Sequence, residues 1–216
     1  MGEEHPAREP RHRTPLPPIT IGEYLAAVAA RGPRCPVPVG SEGMQLTYAE
    51  LALDVERVAC GFLALDIAKG DRIAIWAPET TEWTLVQLAA ARVGAVLVIL
   101  DGDWNAEQLD TALREANVRL LVTAGPERVA LLGDVRQGLP ALERLVTIDG
   151  LSGWADDLTW GELLVAGSAV DPARLTERES TLHPDDAVSI EYERPGAGDL
   201  LATTLTHRDY LAVTGE

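Results

Sequence analysis

The sequence predicts an α/β fold in which a largely parallel sheet is covered by helices on both faces. Three observations lead there. Apolar runs of strand length, "RIAIWA", "AVLVIL", "RLLVTA", "RLVTID" and "AVSIEYE", recur along the chain. Segments with helical spacing of apolar residues separate them. The runs are mostly continuous rather than alternating, as expected for strands buried on both sides, so parallel pairing is expected.

The elements follow in order. Residues 1–18, "MGEEHPAREPRHRTPLPP", are rich in proline and arginine and lack an apolar h-region. They read as a flexible arm and not as a secretory signal. "TIGEYLAAVAARGP" is expected to form a short helix capped by Thr20 and stopped at Gly32-Pro33. "CPVPVGSEGMQLTYAE" carries an edge hairpin, since its prolines exclude a central strand. Thr47 and Glu50 form a capping box, and Leu51, Val55, Val58, Phe62 and Leu65 behind it line one helix face. "KGD" turns the chain into the first buried strand. "TTEWTLVQLAAARVG" predicts a helix ended by Gly94, and "NAEQLDTALREAN" a helix capped by Asn105 with Leu109 and Leu113 inward. A weaker helical stretch runs from Glu127 to Gly138, and "TWGELLVAG" makes a short capped helix. "AVSIEYE" is expected to be the last strand, followed by a Gly/Pro loop and a threonine-rich stretch that opens a helix.

Composition narrows the function. The 216 residues suit one domain, or one plus an appendage, and 46% hydrophobic content can build a sizeable core. A net charge of −16 argues against nucleic acid and anionic membranes as partners. No apolar run reaches the roughly 18 residues of a membrane span. Cys35 and Cys60 have no metal-ligand spacing, and two cysteines without a signal peptide fit a reducing, cytoplasmic setting. His5, His12, His183 and His207 form no metal or catalytic pair. Asp101 and Asp103 around Gly102 read as turn residues, the alternative being a metal or ribose contact; Asp185-Asp186 reads as a turn as well. "GAGDLL" lacks the third glycine of a dinucleotide fingerprint, and no G-x-x-x-x-G-K-[ST] occurs. Lys69 is the only lysine; every other basic side chain of the Lys/Arg class is arginine.

"LTYAEL", "KGDRIAIWAPETTEWTLVQLAAARVGAVLVIL" and "LTHRDYL" resemble the AMP-forming acyl-CoA synthetases of the adenylate-forming superfamily. The stretch from Trp76 to Leu100 is most similar to their short- and medium-chain fatty acyl branch. "LPALERLVTIDG", "TWGELLVAG" and "HPDDAVSIEY" fall in the family's order, so the resemblance runs from about Thr20 to the last residue. It implies a partial AMP-binding domain over residues 19–216. Such enzymes join a carboxylic acid to AMP, using ATP and magnesium, and pass the acyl group to coenzyme A. Their loop reads Y-T-S-G-T-T-G-x-P-K-G, with L-T-H-R shortly after. Tyr192 matches its tyrosine, and Leu205, Thr206, His207 and Arg208 match L-T-H-R without a gap. Between them Glu193, Arg194, Pro195, Gly196 and Ala197 stand where T-S-G-T-T belongs. Gly198 keeps the second glycine, and Leu200, Leu201 and Ala202 replace P-K-G. The remnant phosphate-binding set implied by the resemblance is Gly196, Gly198, Thr204, Thr206 and His207.

The substitutions oppose phosphate binding. A phosphate cradle needs free N–H groups, small hydroxyls and a cation. Pro195 has no N–H, Ala197 no hydroxyl and Leu201 no charge. Glu193 and Asp199 add negative charge, and the guanidinium of Arg194 does not replace an ammonium. The family's second, C-terminal lysine lies beyond Glu216. The expectation is therefore a chain with no catalytic residue, no metal ligand and no bound cofactor. It would act by binding a full-length synthetase, a carrier protein or a second copy of itself, through apolar surface left uncovered. The alternative is one half of a split AMP-forming ligase completed by another chain. A small-ligand sensor and a fragment without function are the remaining readings.

Overall fold

The computed structural model describes residues 18–41, 43–100, 102, 104–150, 154–193 and 200–214. Most of the expected arm lies outside the described residues, as do Asp101, Asp103, Arg194, Pro195, Gly196, Ala197, Gly198 and Asp199.

Helix α1 (Ile21–Arg31) starts at a capping box in which Thr20 Oγ1 accepts from Glu23 N–H and the Glu23 carboxylate accepts from Thr20 N–H. Strands β1 (Pro36–Val39) and β2 (Met44–Thr47) form the expected hairpin as a separate two-stranded sheet. Thr47 ends β2 and caps α2 (Tyr48–Ala64). The main sheet then begins with β3 (Arg72–Trp76), α3 (Thr81–Val93) and β4 (Val96–Ile99). Between the last two, Gly94 sits at φ +73°, the left-handed conformation that makes glycine the natural stop. Next come α4 (Ala106–Glu115), capped by Asn105, β5 (Leu120–Thr123), α5 (Pro126–Val135) with a 3-10 turn at Arg136–Gly138, and β6 (Arg144–Thr147). The remaining elements are β7 (Leu158–Thr159), α6 (Trp160–Ser168), α7 (Pro172–Glu179), β8 (Ala187–Glu193), β9 (Leu201–Thr206) and α8 (His207–Thr214).

The main sheet has the order β7-β6-β5-β3-β4-β8-β9 and is parallel except for the final β8–β9 pair. One core, with Val55, Phe62, Ile73, Ile75, Val86 and Leu163, lies between the sheet and α2, α3 and α6. A second, with Leu109, Leu113, Leu121, Leu132 and Leu145, lies under α4 and α5. Both faces are covered, as continuous apolar strands require.

Two expectations need correction. "AVSIEYE" is not the last strand, and the threonine-rich stretch is itself a strand, of which only the last residue, Thr206, opens the helix. Leu201–Thr206 instead runs back along β8, with Tyr192 opposite Ala202 and Ile190 opposite Thr204. β-branched threonines suit this pleated edge, and the helix starts only at His207. Helix α7 was also outside the expectations. Its sequence, "PARLTERE", buries only Leu175. Long-range bonds hold it: Arg178 donates to the carbonyls of Ile67 and Val93 at 3.1 and 3.0 Å.

Helices α2 and α6 touch through glycines. A Cβ on Gly167 would stand 2.6 Å from Gly61 N and 2.8 Å from Arg57 O, both backbone atoms that no rotamer change can move. Gly167→Ala is expected to cost about 2 kcal/mol net, because overpacking outweighs the roughly 1 kcal/mol of helix propensity gained. Thermal unfolding checks this; an unchanged or raised midpoint would show that the helices separate freely.

Candidate functional site

The sheet separates its charges by end. Along the amino-terminal edge, ion pairs fasten the elements. Lys69 Nζ lies 2.7 Å from Asp186, Arg119 lies 2.7 Å from Asp71 and 3.0 Å from Glu143, and Arg208 lies 2.8 Å from Asp185. Asp185 and Asp186 are thus turn residues, as expected, that also anchor cations. The hydrogen bonds from Arg208 hold the Asp185 carboxyl below the usual carboxylate range.

The carboxyl-terminal edge is built differently. Two cavities open there. One, of about 290 Å³, lies among Trp76, Gly102, Trp104, Glu127, Arg128 and Leu131. In it the Arg128 guanidinium sits 5.6 Å over the Trp76 ring. The other, of about 360 Å³, lies among Ala77, Glu79, Trp83, Gln87, Ile99, Leu100, Glu191, Tyr192 and Tyr210. It occupies the ends of β3, β4 and β8, where α/β sheets bind ligands.

The loop that the sequence singled out joins β8 to β9 at this same edge. Of its implied remnant residues the structure describes Thr204, Thr206 and His207. Gly196 and Gly198 lie outside the described residues. Thr204 is exposed on the edge strand β9. Thr206 gives its N–H and hydroxyl to the Asp209 carboxylate, at 3.0 and 2.6 Å, and its Oγ1 accepts from Asp209 N–H. It therefore caps α8, and these bonds hold the Asp209 carboxyl below its usual range. His207 is fully buried, and its Nδ1 accepts from Ile21 N–H at 3.2 Å, fastening α8 to the start of α1. Burial lowers its pKa to about 4. Thr206 and His207 sit at the far end of β9 from the loop, next to the amino end of β8: Thr206 pairs with Ala187.

Tyr192, which matches the tyrosine of the family loop, is fixed from two sides. Its hydroxyl donates to Ala112 O at 3.3 Å and its ring meets Trp104 edge-on at 6.1 Å. Burial raises its pKa. Trp83, Gln87, Glu79 and Tyr210 also line the larger cavity, and sequence reasoning did not find them. They come from distant parts of the chain, and only the rule that ligands sit at strand carboxyl ends could have pointed there. Among the described residues, no group of three His, Cys, Asp or Glu side chains gathers as a metal would require, and no helix is long and apolar enough to cross a membrane.

Comparison with solved structures agrees with the architecture. An anthranilate CoA ligase, AuaEII, solved in complex with anthranoyl-AMP, is similar with a TM-score of 0.75 at 18% identity, over 92% of this chain and 37% of that one. A Mycobacterium tuberculosis fatty acyl CoA synthetase is similar with a TM-score of 0.67 at 24% identity, over 87% and 34%. In sequence, the acyl-CoA ligase sidI of Aspergillus fumigatus is 34% identical over 203 residues, 88% of this chain and 34% of that protein. The mitochondrial medium-chain acyl-CoA ligase ACSF2 of Bos taurus is 30% identical over 208 residues, 87% of this chain and 33% of that protein. The chain thus spans about a third of the length of the curated relatives it matches. The family model described as AMP-binding enzyme matches residues 25–192, from within α1 to the tyrosine of the loop, and the chain belongs to that family, with the acyl-CoA synthetases as its relatives.

Proposed function

We propose that this chain forms no acyl-adenylate by itself and acts by binding. The observation that carries this reading is the place of Lys69, the only lysine in the sequence. Its ammonium is bonded to Asp186 and, at 2.8 Å, to the carbonyl of Thr181. Both partners precede β8, whereas the loop follows it. The seven residues of β8 put roughly 20 Å between its ends, at about 3.3 Å per residue. Leu201, at the position of the family's loop lysine, is 56% exposed and opens β9. Held there, the Lys69 ammonium does not reach a polyphosphate at the loop.

β9 supports the binding half of the reading. It is the outermost strand, and Leu201, Ala202, Thr203 and Thr204 are exposed without a charge among them. An uncharged sheet edge accepts a further strand. A full-length synthetase, a carrier protein or a second copy of the chain are its candidate partners. The second reading, a split ligase completed by another chain, draws on the threefold greater length of the relatives.

The test is pyrophosphate release from ATP and magnesium with medium-chain fatty acids. Release by the purified chain is expected to equal that of a heat-inactivated control, and light scattering at micromolar concentration is expected to show species larger than the monomer. Turnover by the chain alone would overturn the first half of the reading, and a strict monomer the self-association half.

A further inference from the structure

We infer that the cavity at the ends of β3, β4 and β8 is a binding site for a small organic cation, of the methylated or quaternary ammonium class. This goes beyond the absence of adenylation and does not depend on it.

The topology creates the crevice. From β3 the chain leaves to α3, which packs on one face of the sheet, and from β4 it leaves to α4, which packs on the other. β3 and β4 are neighbours. Their departing loops therefore diverge, and the gap between them is the switch point where sheets of this class take ligands. The volume of about 360 Å³ is that of a small-molecule site.

The lining chooses the ligand. Three aromatic residues, Trp83, Tyr192 and Tyr210, and two acidic ones, Glu79 and Glu191, line the cavity. No basic side chain lines it among the described residues. Among the described residues neither carboxylate has an ion-pair partner, whereas at the opposite edge of the sheet Asp71, Glu143, Asp185 and Asp186 are all paired. Rings attract a cation through their faces, and methylated ammonium groups, being weakly hydrated, gain most from such walls. Carboxylates alone would suit a metal ion, but two acids among aromatics suit an organic cation.

The walls are also set in advance. The Tyr210 hydroxyl accepts from Gln87 Nε2 at 2.6 Å, and the Tyr192 hydroxyl is bonded to Ala112 O. The segment bearing Glu79 is held by Ser41, whose N–H and hydroxyl donate to Glu79 O at 2.6 and 2.9 Å. Ordering that is complete before binding does not oppose it. The net charge of −16 favours encounter with a cation over an anion.

Calorimetry with choline and with its uncharged isostere 3,3-dimethylbutan-1-ol tests the assignment. Choline is expected to bind saturably and to bind more weakly as salt rises, and the isostere not to bind. Glu191→Gln keeps the side chain's shape, and Trp83→Leu keeps an apolar wall; each is expected to weaken choline binding about tenfold or more. Circular dichroism of each variant confirms folding. Equal affinity for choline and the isostere, no saturable heat with the native chain, or undiminished binding by both folded variants would each overturn the proposal.

Discussion

Arg136→Ala is expected to destabilise the fold by about 3 kcal/mol, the low end for a broken buried ion pair, since the arginine keeps some contact with water. Arg136, in the 3-10 turn after α5, gives two parallel bonds to the Asp157 carboxylate at 2.7 and 2.8 Å. The Asp157 side chain is only 1% exposed and takes a third bond from Leu145 N–H at 2.9 Å. The same guanidinium lies 4.8 Å over the Trp154 ring. Alanine would leave the carboxylate buried with one backbone donor, so the cost is dominated by the stranded charge and not by the lost attraction. In thermal unfolding the shift should be about 6–12 °C for a chain of this size. The double variant Arg136→Ala/Asp157→Ala is expected to lose clearly less than the sum of the single ones, because the second change removes the group the first one stranded. Additive losses would show that the two side chains are not coupled.

Acidification should weaken the fold by a comparable amount through one side chain. His207 has a folded pKa of about 4 against an ordinary 6.5, because burial opposes its charged form. Asp186 and Glu23 favour the charge and Lys69 opposes it, but burial dominates. The folded chain therefore holds the proton less tightly than the unfolded chain. The stability involved is complete above pH 6.5, falls as pH drops towards 4 and is flat below. The interval corresponds to about 3 kcal/mol at 1.36 kcal/mol per pH unit. Protonation also removes the Nδ1 lone pair that accepts from Ile21 N–H. In His207→Asn the side-chain carbonyl can keep that acceptor without titrating. Carboxyls such as Glu50 and Glu162, held below their usual range by hydrogen bonds from Thr47 and Thr159, add their own losses at low pH in both proteins. The difference between the two stability curves isolates the histidine. A native curve parallel to that of the asparagine variant between pH 6.5 and 4 would overturn the assignment.

What the sequence showed of the fold was what neighbours three or four residues apart decide. The Thr20, Thr47, Asn105 and Thr159 boxes each close within a single helical turn, and all four helix starts were legible. The buried strands were legible because apolar runs carry their own signature. β9 was not, because a run of threonines becomes a strand only once β8 lies beside it. α7 was not, because the partners of Arg178 lie in other elements. The loop could be aligned on Tyr192 and on Thr206-His207, yet the roles of the last two are set by Asp209 and Ile21, and only the cap at Asp209 is local. The cavity was hidden for the same reason: Glu79 and Glu191 meet through topology.

The bond between Lys69 and Asp186 has a consequence for surface chemistry. With every other Lys/Arg-class cation an arginine, the chain offers amine-directed reagents one side chain besides its terminal amino group. That side chain is 37% exposed, open enough to react. Acylation there would neutralise the ammonium that fastens the turn before β3 to the turn before β8. Labelling stoichiometry at one residue then becomes a reading of how often that fastening opens.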